Sequence, residues 1–461
     1  MTDQRDLLRR TAEIAADFLD TLDERPVFPT ATHDDLEQLL AAELPDVPSE
    51  PLEVLEAVVS AVEPGVVATA GPRYFGFVTG GTLPATVAVD WLLSAWDQSN
   101  GLYAAGPSVT IAEEVAARWT KDILGLPSDA AVAFVTGCQM AHVTCLAAAR
   151  HAALERAGWD VAADGLWEAP HVSVVVGALR HVTVDRAVRL LGMGTSSIVV
   201  VPADDQGRMR PDALRATLDQ LDGPTIVCAQ AGEVNTGSFD PLEEIEQFAH
   251  EAGAWLHVDA AFGMWAAATP SRRGLIAGHD RADSWAFDAH KWLNVPYDCG
   301  MAVCARPDAL RGAMRLTAAY LQATGEERNP ADVTPEASRR ARGVTVYAAL
   351  RALGRQGVAD LVDRCCARAE QFAASIAALP GCEVLNEIVL NQVVFRFEDD
   401  ETTRTVLASV QESGEAWMGG TVWNDRAAIR VSVSNWRTTE ADIDRTVAAF
   451  EAALVAPGPA R

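Results

Sequence analysis

Two neighbouring stretches decide the reading: residues 255–263, WLHVDAAFG, and residues 284–300, SWAFDAHKWLNVPYDCG. Each opens with an apolar and aromatic run of strand length, and a charged side chain stands at or just beyond its end. An acidic residue ending a buried strand is costly unless its charge is used, because a lone carboxylate in low dielectric loses its hydration. Something cationic should therefore face Asp259. Lys291 stands among aromatic and apolar residues beyond the second strand, where desolvation is expected to lower its pKa toward the neutral, nucleophilic amine. Taken singly, such an Asp reads as a turn or salt-bridge residue and such a Lys as a surface residue. The pair in this setting reads as chemistry.

Outward from these stretches the same pattern repeats. AVAFVT (131–136), HVSVVVG (171–177), SSIVVVP (196–202), TIVCAQ (225–230) and MAVCA (301–305) are further strand candidates, most separated by helix-like segments such as DPLEEIEQFAHEAG (240–253). Continuous apolar strands alternating with helices imply an α/β unit, a mostly parallel sheet covered on both faces. It is expected over residues 71–310. Before it, residues 1–70 read as a helical arm, with Leu7, Leu8, Ile14, Phe18 and Leu22 at helical spacing until Pro26 and Pro29. After it, residues 311–461 read as a smaller α+β domain: helices over Val344 to Leu353 and Val358 to Leu379, then strands in EVLNEIVL (383–390), QVVFRFE (392–398) and AAIRVSVS (427–434), with a loose tail APGPAR. The Gly-rich stretch GPRYFGFVTGGTLP (71–84) reads as a loop approaching a ligand or a neighbouring subunit.

The formal charge of −27 argues against a nucleic-acid partner, which needs clustered Lys and Arg. The cysteines form no CxxC pair, so no metal site is expected. No run approaches the length of a membrane span, and the N-terminus lacks a signal-peptide pattern. A reduced, cytoplasmic protein is expected.

HVDAAFG together with DAHKW resembles the group II pyridoxal 5'-phosphate (PLP) dependent amino-acid decarboxylases, the family of the aromatic-amino-acid, histidine and glutamate decarboxylases. The resemblance runs from about Gly71 to Trp436. It implies fold type I, as in aspartate aminotransferase, with a large PLP-binding domain, a smaller C-terminal domain and a homodimer. It implies that Lys291 is the Schiff-base lysine, that Asp259 partners the pyridine nitrogen, that Ala261 lies beneath the ring and that His181, in GALRHVTVDRA, stacks on its other face. The phosphate is expected in FVTGCQMAHVTCLAAAR at Gly137, Cys138 and Gln139, mainly through backbone N–H groups at a helix start. Ser284 and His290 match positions near the phosphate, with a structural role as the alternative; His142 reads as packing or capping. Thr79, Leu102 and Tyr103 match positions near the substrate, the last two contributed by the other subunit, with ordinary packing as the alternative. Arg430 stands where fold-type-I enzymes place a carboxylate-binding arginine. Gly76 and Gly80 suggest room for a substrate side chain, whereas Trp96 and Tyr103 suggest an aromatic pocket. One departure is plain: TGEERNPADVTPEASRR (324–340) holds no tyrosine where the family's mobile loop supplies a proton donor, and Tyr320 precedes that segment. The resemblance implies decarboxylation of an L-amino acid to a primary amine. The alternatives are aldehyde-forming oxidative chemistry, transamination or another PLP lyase reaction and, outside enzymes, a catalytically silent PLP-fold binding protein.

Overall fold

The computed structural model describes residues 3–41, 43–316 and 328–455. Seven strands form the main sheet: β1 (Ala131–Val135), β2 (Ser173–Gly177), β3 (Ile198–Val201), β4 (Thr225–Gln230), β5 (Trp255–Asp259), β6 (Ser284–Asp288) and β7 (Gly300–Cys304). Their order is β1-β7-β6-β5-β4-β2-β3, and only β7 runs against the rest. Every residue of β5, β6 and β7 is buried, which is why these segments read as unbroken apolar runs. The parallel strands therefore end side by side, and the turns after β4, β5 and β6 share one edge of the sheet.

Among the described residues, six α-helices of eight residues or more precede the second strand: α1 (Gln4–Asp20), α2 (His33–Leu40), α3 (Pro51–Val62), α4 (Pro84–Trp96), α5 (Pro107–Leu124) and α6 (Cys138–Arg156). α1 to α3 bury none of their side chains within the chain, whereas α6 is largely buried against the sheet. The C-terminal sheet contains β8 (Glu383–Val384), β9 (Gln392–Arg396), β10 (Gly419–Trp423) and β11 (Arg426–Ser432), all antiparallel, in the order β10-β11-β9-β8.

Three local differences from expectation have physical causes. EVLNEIVL yields only the two residues of β8, because the Asn386 side chain takes over the bonding beyond them: Nδ2 donates to the Thr236 and Gln392 carbonyls and Oδ1 accepts from Val394 N. β10 was not anticipated, since its Gly-Gly start and half-exposed edge position leave no apolar run. The piece 73–75, placed by sequence in the large unit, is bonded to the C-terminal one: Phe75 N donates to Trp417 O at 2.7 Å and Ser432 N to Phe75 O at 3.1 Å. Helix over 343–376 is interrupted at Gly354 (φ 61°, ψ −179°), between the two helices read from the sequence.

Candidate active site

A cavity of about 440 Å³ opens at the carboxyl edge of the main sheet, where βα turns converge. Its floor is Asp259, the last residue of β5, with Ala261 and Phe262 just beyond. The end of β6 contributes Asp288, the turn after it His290 and Lys291, and the start of α6 contributes Gly137, Cys138 and Gln139. His181 and Thr183 stand on one side; Phe77, Val78, Val234 and Arg430 close the mouth. Eight of the expected cofactor residues thus face one cavity.

Lys291 Nζ lies 3.1 Å from Asp288 Oδ2. Burial lowers the amine's pKa, but Asp288 chiefly, with smaller help from Cys138 and Asp259, outweighs burial and leaves it raised. The expectation of a lowered pKa is corrected here: a carboxylate three residues upstream dominates desolvation. Asp288 Oδ1 also accepts from Cys138 N at 2.6 Å, so it ties the lysine turn to the start of α6.

Asp259 is fully enclosed, and burial alone would push its carboxyl upward. His142, then His181 and Lys291, outweigh that and hold it well below the usual carboxylate range. Its Oδ2 lies 3.4 Å from His142 Nε2 and its Oδ1 accepts from Ala261 N at 3.2 Å. His142 is therefore more than the packing or capping residue the sequence suggested. His181 Nδ1 lies 2.8 Å from Thr183 Oγ1, which fixes the ring plane, and burial lowers its pKa. His290 Nδ1 accepts from Cys299 N at 3.1 Å, which leaves Nε2 as the protonated nitrogen.

Other expected residues lie elsewhere. Ser284 opens β6, so a five-residue strand, ~13 Å at the usual rise, separates it from Asp288. It contacts Trp255 Nε1 and His257 Nδ1, each at 2.9 Å, and does not line the cavity. Thr79 is buried beside the mouth without lining it. Leu102 and Tyr103 are half-buried outside it, the Tyr103 amide donating to Asn329 Oδ1. Trp96 is 52% exposed at the end of α4. Gly76 and Gly80 do not open substrate space: a Cβ at Gly76 would stand 2.1 Å from the Trp417 ring, and one at Gly80 1.8 Å from the Lys291 carbonyl oxygen. These glycines let the 71–84 stretch press against the lysine turn. Tyr320 lies outside the described residues.

Sequence reasoning missed Asp288, His142, Thr183 and Gln230. It also missed Phe77 and Val78, whose φ values of 53° and 57° are unusual for bulky residues and turn this segment into the cavity wall.

The cavity suits PLP on its own chemistry. It pairs an enclosed ionised carboxylate with a lysine that is one of only two in the chain, beside a helix start whose first-turn N–H groups suit a dianion. Comparison with known proteins agrees. A family model described as "Pyridoxal-dependent decarboxylase conserved domain" matches residues 34–398. The aromatic-L-amino-acid decarboxylase of Bacillus atrophaeus is 27% identical over 454 residues, covering 95% of this chain and 92% of that protein. The enzyme of the same name from Sus scrofa is 30% identical over 423 residues, covering 86% and 85%. The crystal structure of Oryza sativa TDC with PLP and tryptamine superposes with a TM-score of 0.91 at 24% identity, covering 98% and 97% of the two chains, and shows the same fold.

Proposed function

Because this chain belongs to the pyridoxal-dependent decarboxylase family, we propose that it acts on an aromatic L-amino acid and works as a homodimer in the cytoplasm. Its fold is the fold type I of PLP enzymes, its cofactor is PLP, and its reaction releases CO2 from an amino acid to leave a primary amine. Bound PLP supplies the electron sink for the pair left behind when CO2 departs. Asp259 would hold a proton on the pyridine nitrogen, His181 and Ala261 would flank the ring, and Gly137, Gln139 and His290 would take the phosphate, the Cys138 N–H being committed to Asp288 Oδ1. Lys291 would supply the amine that holds the cofactor, and Asp288, 3.1 Å from Nζ, orients it.

The observation that carries the aromatic reading is the wall of Phe77 and Val78. Phe77 packs on Trp417 with ring centroids 5.3 Å apart, and Trp417 stacks in turn on Tyr74 at 5.1 Å. Trp417 and Tyr74 lie behind Phe77 and outside the cavity, so Phe77 and Val78 themselves form the apolar wall a planar side chain would meet. The related aromatic decarboxylases support the same choice. Arg430 favours a second reading. It donates to the Val234 carbonyl at 3.3 Å, is largely buried, and faces the cavity. A guanidinium paired with the α-carboxylate would stabilise the group that must leave, so its charge is better directed at a distal acid on the substrate.

A panel of the common amino acids, with CO2, amine, aldehyde and ammonia followed together, separates these readings. Aromatic substrates are expected to exceed glutamate and aspartate in kcat/KM by about tenfold or more. The reverse order, lost in Arg430→Met, would replace the aromatic reading with the acidic one. Running the panel under air and under argon tests the product: amine in equal yield under both is expected. Peroxide and aldehyde formed only in air would show that dioxygen intercepts the reaction for want of the loop tyrosine.

The dimer rests on surface that the chain leaves open. α1 to α3 bury no side chain, Val54, Val58, Trp91, Leu92 and Trp96 are exposed on α3 and α4, and Leu102 and Tyr103 lie outside their own cavity. Light scattering should give twice the 49.2 kDa chain mass. An active monomer would refute it. The cytoplasmic placement rests on the eight free cysteines; among the described residues no helix is long and apolar enough to cross a membrane.

A further inference from the structure

Behind Asp259, away from the cavity, runs a line of buried polar groups that neither the cofactor nor the fold's regular hydrogen bonding accounts for. His142 Nε2 lies 3.4 Å from Asp259 Oδ2; His142 Nδ1 lies 2.9 Å from His257 Nε2; His257 Nδ1 lies 2.9 Å from Ser284 Oγ; and Trp255 Nε1 donates to that oxygen at 2.9 Å. His142, His257 and Ser284 have no solvent exposure. The chain joins α6 to β5 and β6 and spans β5 from its first residue to its last.

We propose that His142, backed by His257 and Ser284, is a positioning residue that keeps Asp259 ionised and fixed in place for the cofactor's pyridine nitrogen. The proposal rests on the reading of Asp259 given above.

Donor and acceptor counting supports it. The indole N–H only donates, so Ser284 Oγ accepts from Trp255. Two proton arrangements then satisfy the line. In the first both imidazoles are neutral: Ser284 donates to His257 Nδ1, His257 Nε2–H to His142 Nδ1, and His142 Nε2–H points to the space shared by Asp259 Oδ2 and Cys138 Sγ, each 3.4 Å away. In the second His142 carries an extra proton: its Nδ1–H donates to His257 Nε2, His257 Nδ1–H donates to Ser284, and the hydroxyl proton turns toward Cys145, its other polar neighbour. His142 Nε2 presents a proton to the carboxylate, 3.4 Å away, in both. Moving between them adds charge next to Asp259 and leaves no buried donor or acceptor orphaned. The same nitrogen is 3.4 Å from Cys138 Sγ, but the charged oxygen is the stronger acceptor. Burial holds His257 neutral, its pKa down at about 3.

Other groups face Asp259 from every side. Cys138 approaches from α6, Asp288 ends β6, and Lys291 lies just beyond it. His181 stands at the start of the Val182–Leu190 helix, and the buried Asp240 precedes the Leu242–Glu251 helix. Burial favours protonation of Asp259, whose charge in turn helps raise Asp240, a carboxyl pushed up to about 7 mainly by its own burial. Among the groups opposing burial at Asp259, His142 is in direct contact and acts most strongly. Without it, burial prevails and the carboxyl's pKa rises. Its ionised form is then lost as pH falls through the weakly acidic range, where the native carboxylate stays charged.

The test uses full-length holoenzyme with His142→Phe, His142→Gln and His257→Leu, each in the native and Asp259→Asn backgrounds. The PLP dissociation constant is measured by absorbance titration from pH 8 to pH 5, alongside kcat and KM. His142→Phe should weaken PLP binding about tenfold at pH 7.5, the scale of losing a hydrogen bond to a charged group, and progressively more toward pH 5 relative to wild type. His142→Gln, whose amide can donate to Oδ2, should recover most of this. His257→Leu should show a smaller effect with the same pH trend and serves as the decisive variant if His142→Phe does not fold. In Asp259→Asn, none of these changes should weaken binding further. Effects that add in full to Asp259→Asn, or no pH-dependent loss in either His142→Phe or His257→Leu, would overturn the proposal. If Asp259→Asn itself behaved as wild type, the parent reading of Asp259 would fall instead.

Discussion

Lys291→Ala should lower kcat on the order of 10⁴-fold or more, the scale seen when a covalent nucleophile is removed. Its fold should survive: the side chain is held by one ion pair to Asp288, and Asp288 keeps its hydrogen bond from Cys138 N after the amine is gone. The thermal midpoint should therefore move little while turnover collapses. The composition makes a companion experiment unusually clean, because the chain contains only Lys121 and Lys291. Lys121 Nζ donates to the carbonyls of Ser128 and Ala130, away from the cavity. Borohydride treatment of native holoenzyme followed by peptide mapping should place the pyridoxyl group on Lys291 alone. A label on Lys121, or turnover of Lys291→Ala within a hundredfold of native, would remove the assignment.

The framework and its two charged residues were legible because both depend on burial that a short window of sequence reveals. A continuous apolar run predicts a central strand, and a charged residue at its end is conspicuous against that background, as with Asp259 and Lys291. What escaped depended on neighbours distant in sequence or on strand direction. His142 is one of several polar residues on α6, and nothing local marks its contact with Asp259. Ser284 stands close to Lys291 in the chain but begins the strand that leads to it, so it lies at the other end of β6. Desolvation of Lys291 was foreseen correctly as a force, yet its sign lost to Asp288 in the same motif. The glycines of 71–84 signalled close approach. They could not signal that the approaching groups were Trp417 and the lysine turn and not a ligand.

Asp259→Asn should retain the fold and bind PLP more weakly, with kcat about 10³-fold lower and KM changed only a few-fold, the pattern of an interaction used chiefly in the transition state. The amide replaces an enclosed ionised carboxylate with a neutral group of the same shape. Ala261 N keeps its acceptor, and the amide oxygen can still face His142 Nε2, so the local contacts persist. What disappears is the charge that stabilises a proton on the pyridine nitrogen, and with it the pull on the electrons released with CO2. Lys291 and His181 also lose a favourable electrostatic neighbour. Asp259→Glu keeps the charge but must fit an extra methylene into a packed floor, and should fall between native and Asn. Loss of PLP binding with normal kcat at saturating cofactor would assign Asp259 to affinity alone. Native kcat and affinity in Asp259→Asn would show that the ring is activated by some other group.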